Sequence, residues 1–295
     1  MSDRLGSTSA HWRPSSNTRV IAEQGKTARS GFVVRLVKTG ESRDWVVMLP
    51  GAGATISVWA PQVRAFAEHF NLALVDFPGH GRSRRTSKQP LTGYSFASLT
   101  AQLAATLDAA GIGRCHVVAL SLGTILARTW ADLNPARLQS AVLAGTIAGL
   151  NPVTRTLMNC GWYARRVLPY MAVYRIYAWI IMPGRSHRRT RKLFYRDAQA
   201  LGRAEFNRWF DLSRDVGPLL QALWKRESSV PTLHVMGAND RMFLKSCKRL
   251  VAEEGSSIVV IPEVGHVCSV EAATSFNEVA LDFCRRHLAT FHSDE

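Results

Sequence analysis

The run Cys115 to Trp130, C-H-V-V-A-L-S-L-G-T-I-L-A-R-T-W, restricts the folds open to this chain more than any other stretch. From Cys115 to Leu120 it is largely apolar with two central valines, the pattern of a strand buried on both faces of a parallel sheet. The period then changes. Ile125, Leu126, Trp130 and Leu133 fall on one face of a helix, and Asn134-Pro135 ends it. Ser121 therefore stands at the apex of a tight strand-to-helix turn. For the helix to fold back on its own strand the two backbones must approach closely, which requires small residues two places either side of the apex. Ala119 and Gly123 occupy those places.

This A-x-S-x-G turn resembles the G-x-S-x-G nucleophile elbow of the α/β-hydrolase superfamily, with alanine at the first small position. Read alone, Ser121 could equally be a helix cap. The order of the remaining motifs decides between the two. Upstream, F-V-V-R-L-V and W-V-V-M-L read as strands, and the second runs into Pro50-Gly51-Ala52-Gly53 with Trp59 shortly after. The resemblance implies that this loop supplies the amide of Ala52 to an oxyanion hole, with the amide of Leu122 as its companion. The loop is too short for a dinucleotide fingerprint and lacks the lysine of a phosphate loop. Asp76-Phe77-Pro78-Gly79-His80-Gly81-Arg82-Ser83 is similar to the family's D-x-P-G-x-G-x-S signature. Asp76 and His80 are read as structural, with Asp76 binding backbone amides of the turn.

Downstream, Leu138 to Leu143 reads as another buried strand, but Thr146-Ile147-Ala148-Gly149 offers no acid after it. An acid appears in Gly237-Ala238-Asn239-Asp240, after the proline-led strand from Pro231, and Gly265-His266 follows a strand at Ser257 to Ile261. By this match Asp240 is the triad acid and His266 the base. The chain order Ser121, Asp240, His266 is that of the α/β-hydrolases and not of chymotrypsin-like or subtilisin-like proteases. The resemblance implies an α/β fold: a mostly parallel central sheet flanked by helices, with a helical lid inserted. The expected organisation is a flexible segment at 1–25, a first part of the core at 26–150, the lid at 151–229 and the second part of the core at 230–295.

The implied chemistry is hydrolysis of a carboxylic ester, thioester or lactone through an acyl-enzyme, needing no metal and no organic cofactor. His266 would take the proton of Ser121 while Asp240 holds the imidazole tautomer. A carbon-carbon bond hydrolase, an acyl transferase and a hydrolase-like small-molecule sensor remain open as alternatives. A serine at the elbow argues against epoxide hydrolases and haloalkane dehalogenases, whose relatives use aspartate there.

Composition refines this reading. The five cysteines form no close-spaced pairs, so neither a disulfide framework nor a zinc site is expected, and a reducing cytoplasm is the simplest setting. The first residues lack the apolar core of a signal peptide. The net charge of +15 is uneven, with 15 Lys and Arg against 5 Asp and Glu between Asn151 and Val230. Within that segment Trp162, Tyr163, Leu168, Tyr170, Met171, Tyr174, Tyr177, Trp179, Ile180 and Ile181 precede the basic cluster Gly184 to Lys192. The apolar run is too short to span a bilayer, which needs about 20 residues. It reads either as cap helices, apolar beneath and charged outside, or as a surface for anionic lipid that would also favour lipid-like or anionic acyl substrates. A small-molecule, apolar acyl substrate is the partner expected, and an anionic membrane surface, with peripheral attachment, is added only under the second of these readings; no recognition motif accompanies the charge, so nucleic acid is not expected.

Overall fold

The computed structural model describes residues 31–85, 94–184 and 187–288. The segment expected to be flexible at 1–25 and the basic residue Arg185 lie outside them.

Seven strands form one sheet: β1 (Val33–Val37), β2 (Trp45–Leu49), β3 (Asn71–Asp76), β4 (Cys115–Leu120), β5 (Leu138–Ala144), β6 (Thr232–Gly237) and β7 (Ser257–Ile261). Their spatial order is β1-β3-β2-β4-β5-β6-β7, with β1 antiparallel to β3 and every other pairing parallel. The chain builds outward from β2 to β3 and then crosses back to lay β4 on the other side of β2. Such a reversal opens a crevice beyond the carboxyl ends of the two strands.

Near-continuous apolar runs follow from burial on both faces. In β4, Cys115, Val117 and Ala119 pack into one layer while Val118 and Leu120 pack into the other; β2 divides likewise into Val47 and Leu49 against Val46 and Met48. The first layer is closed by α2 (Phe96–Ala109) and α3 (Leu122–Leu133), the second by α1 (Ala60–Ala67) and α11 (Ala273–Arg286). A smaller cluster lies under α9 (Leu244–Glu254). The apolar face read on α3 is buried at Ile125, Leu126 and Trp130, but Leu133, the last residue of the helix, is half exposed. A 3-10 turn (Ile56–Trp59) precedes α1. After His266 a short helix, α10 (Cys268–Glu271), stops before α11 starts at Ala273.

Between β5 and β6 the chain leaves the sheet and forms α4 (Pro152–Val167), α5 (Tyr170–Ile181), α6 (Arg188–Leu201), α7 (Arg203–Asp211) and α8 (Ser213–Trp224). Asn151 begins this insertion as a helix cap, its side chain accepting from Thr154 N at 2.8 Å with Pro152 at the first helical position. Among the described residues no helix is long and apolar enough to cross a membrane.

Candidate active site

Ser121 sits where the sequence places it, on the turn between β4 and α3, with φ 52° and ψ −117°. A side chain in this region is strained and is held there by its surroundings. The turn is tight enough that a Cβ on Gly123 would lie 2.6 Å from Pro50 O and 2.7 Å from Leu49 O. The small residue read from the elbow pattern is therefore required by contact with the end of β2. That contact also brings the Pro50–Gly53 loop alongside Ser121.

Asp240 and His266 come from the loops after β6 and β7. These loops are pressed together, since a Cβ on Gly237 would lie 2.0 Å from Gly265 O. His266 Nε2 is 2.8 Å from Ser121 Oγ and its Nδ1 is 2.8 Å from Asp240 Oδ2. A carboxylate can only accept, so Nδ1 carries the proton and Nε2 is left to accept from the serine hydroxyl. Asp240 is buried, which by itself raises a carboxyl pKa. The opposing effects of His266 and of the Phe243 and Met242 amides win, and the carboxyl is held below its usual range. It stays ionised through the neutral range and keeps the imidazole in this tautomer.

Ala52 and Leu122 both line the cavity beside Ser121. The neighbouring Gly53 amide is engaged, donating to His80 Nε2 at 3.2 Å, while His80 Nδ1 donates to Pro78 O at 3.0 Å. His80 is thus a neutral strut between two loops. Burial pushes its pKa down to about 4, which suits a ring that must accept a hydrogen bond. Asp76 accepts from the amides of Ile56 (2.9 Å) and Arg82 (3.1 Å), so it fastens the 3-10 turn as well as its own loop. Both residues have the structural environment expected of them.

The insertion makes contacts that sequence reasoning missed. Tyr174 Oη donates to Ala52 O at 3.2 Å, on the very residue assigned to the oxyanion hole. Asp197 accepts from Thr55 N, Thr55 Oγ1 and Ser57 Oγ at 3.2, 2.7 and 2.9 Å. Trp209 Nε1 donates to Pro78 O at 3.0 Å, and Tyr94 donates to Glu205. His187 Nε2 lies 2.9 Å from Glu271 Oε2, which accepts from Gly265 N at 2.7 Å, one residue before His266. In the sequence Tyr174 was one of six aromatics among the ten residues singled out, and Asp197 was the lone acid from Pro152 to Leu201; the latter was the one available signal.

Together these elements enclose a cavity of about 260 Å³ above Ser121 and His266. Its walls are apolar: Ile125, Leu150, Met158, Ile180, Ile181, Phe194, Phe206, Phe210 and Phe243 among others. Of the ten aromatic and aliphatic residues read on the insertion, Tyr174, Tyr177, Ile180 and Ile181 face it, and Trp162, Tyr163 and Trp179 do not. Among the described residues no charged side chain lines it. The basic surplus is outside, so the expectation that it favours anionic acyl groups is not carried into the cavity.

The strand order and a serine at a strained elbow define an α/β-type hydrolase, and comparison with known proteins gives the same class. Residues 44–166 match the family described as alpha/beta hydrolase fold, and the chain belongs to that family. It is 30% identical over 250 residues to the Klebsiella pneumoniae protein named "Putative carbamate hydrolase RutD", covering 80% of this chain and 90% of that one. A solved hydrolase of Pseudomonas aeruginosa superposes with a TM-score of 0.70 at 25% identity, over 92% of this chain and 99% of that one. The enol-lactonase of Burkholderia xenovorans superposes with a TM-score of 0.72 over 86% of this chain and 97% of that one; at 20% identity it shows the shared fold.

Proposed function

We propose that this hydrolase cleaves a carboxylic ester, or a thioester or lactone, whose acyl part is neutral and apolar, through an acyl-enzyme on Ser121. The observation that carries the reading is the hydrogen-bonded line Ser121–His266–Asp240 opening into a cavity without a charged wall. In the proposed reaction Ser121 Oγ attacks the carbonyl carbon as its proton passes to His266 Nε2. The negative charge on the carbonyl oxygen meets the amides of Ala52 and Leu122, and His266 then returns the proton to the leaving oxygen. Water, deprotonated by His266 in turn, releases the acid. The insertion acts as a lid whose underside holds the acyl chain. Five unpaired cysteines, four of them buried, suit a reducing cytoplasm.

The similarity to a protein named for carbamate hydrolysis favours a second reading, in which the acyl carbon bears nitrogen. The same nucleophile would attack it. The two readings separate in one experiment. A fluorophosphonate probe should label Ser121, identified by mass spectrometry, and matched p-nitrophenyl esters of graded chain length and N-alkyl carbamates should then be compared. Turnover of esters, rising with chain length until the cavity is filled, supports the first reading. Preferred turnover of carbamates supports the second, and labelling at another serine overturns both.

A further inference from the structure

We propose that the outer surface of α4, α5 and α6 is a docking face for an anionic phospholipid bilayer. The surface does not depend on which bond the site cleaves.

The argument begins with α5, Y-M-A-V-Y-R-I-Y-A-W-I-I, which has one charged residue and is apolar all round. Such a helix is normally covered on every side. Here the inner face, with Tyr174, Tyr177 and Ile181, closes the cavity, while on the outside Ile176 is 51% and Trp179 is 60% exposed. The end of α4 continues the pattern, with Tyr163 67%, Val167 82% and Leu168 38% exposed. Six of the eight large hydrophobic residues exposed among the described residues fall in α4, α5 and the turn between them, the sixth being Val153. A concentration of this kind marks an interaction surface.

Charge identifies the partner. From Pro152 to Leu201 there are ten Arg and Lys against one acid, Asp197. That acid is buried and accepts hydrogen bonds from Thr55 and Ser57 as well as pairing with Arg196, and Arg165 pairs with Asp211 of α7, so two of the ten cations are matched and the basic surplus remains. Arg188, Arg189 and Lys192 are exposed along the first turns of α6, which packs beside α5. Exposed aliphatic and aromatic side chains beside a surplus of cations fit the headgroup and upper acyl region of an anionic bilayer. A nucleic acid would engage the cations but would gain little from Ile176, Val167 and Leu168. The 12 residues of α5 reach about 18 Å, so the helix lies in the interface and does not cross.

The test is co-sedimentation with vesicles of phosphatidylcholine alone and of phosphatidylcholine mixed with phosphatidylglycerol, at low and high salt. Binding to the mixed vesicles at low salt, weakened at high salt, is expected. Arg188→Gln, Arg189→Gln and Lys192→Gln together should weaken it about 100-fold, taking about fivefold per cation. Ile176→Ser with Trp179→Ser should weaken it independently, and both variants should keep the wild-type melting temperature, which shows that they fold. No binding to mixed vesicles at low salt overturns the proposal. So does binding that neither variant changes, or tighter binding to a single-stranded oligonucleotide that the Ile176 and Trp179 changes leave untouched.

Discussion

Ser121 combines a backbone angle that side chains avoid with a hydroxyl 2.8 Å from a buried imidazole. Replacing it with alanine leaves the turn able to form, so Ser121→Ala should abolish probe labelling and ester turnover while the melting temperature stays within a few degrees. Asp240→Asn is the finer test. An amide can present N–H to His266 Nδ1 and turn the ring to the tautomer with hydrogen on Nε2, and kcat should fall by about four orders of magnitude. Near-normal rates would mean that the acid is misassigned. Tyr174→Phe tests the unexpected neighbour. Burial raises its phenol pKa, so it remains a donor to Ala52 O across the working range. Losing one net hydrogen bond of about 1 kcal/mol should lower kcat roughly fivefold to tenfold with KM little changed, if it fixes the direction of the Ala52 amide. A change in KM alone would make Tyr174 part of the cavity wall and nothing more.

At the scale of elements, the insertion is tied to the loops that carry Ala52 and His266. Asp197 on α6 holds Thr55 and Ser57, Tyr174 on α5 holds Ala52, and His187 before α6 faces Glu271 beside Gly265. A flap that swings clear would have to break all of these. Asp197 is the most heavily used, and Asp197→Ala would leave two hydroxyls and an amide without their acceptor, a loss of about 2–4 kcal/mol. The expected result is a lower melting temperature together with earlier proteolytic cleavage inside α4–α8 than in the sheet. Equal protection of the two parts in the variant and the wild type would show that the insertion is held by its apolar contacts alone.

For the whole molecule, the buried histidines set the acid limit. Burial depresses His80 and His116 to about 4 and His234 to about 3. The unfolded chain protonates them near 6.5, so between about 6.5 and 4 the unfolded state binds more protons and stability falls as pH falls. At pH 5 each contributes a loss of about 2 kcal/mol relative to neutral pH. The midpoint of urea unfolding should therefore drop steeply between pH 7 and pH 5, well above the range where carboxylates titrate. A midpoint that is flat over this interval would show that these rings are solvated.

What the sequence determined was the sheet and the placing of Ser121, Asp240 and His266 beyond its strands. Both rest on local signals: apolar runs, proline and glycine at strand ends, and three polar residues in the loops that follow three strands. Once β4, β6 and β7 enter a parallel sheet, Ser121, Asp240 and His266 must emerge on its carboxyl edge, within reach of one another. The tertiary structure alone decided the cavity and its fastening. Tyr174 meets Ala52 across 122 residues and Asp197 meets Thr55 across 142. Such contacts depend on how five amphipathic helices stack, and helical periodicity shows which face is apolar without showing what it will cover. The same limit explains the outer surface of α5, where Ile176 and Trp179 stand in solvent although the helix is apolar on every side.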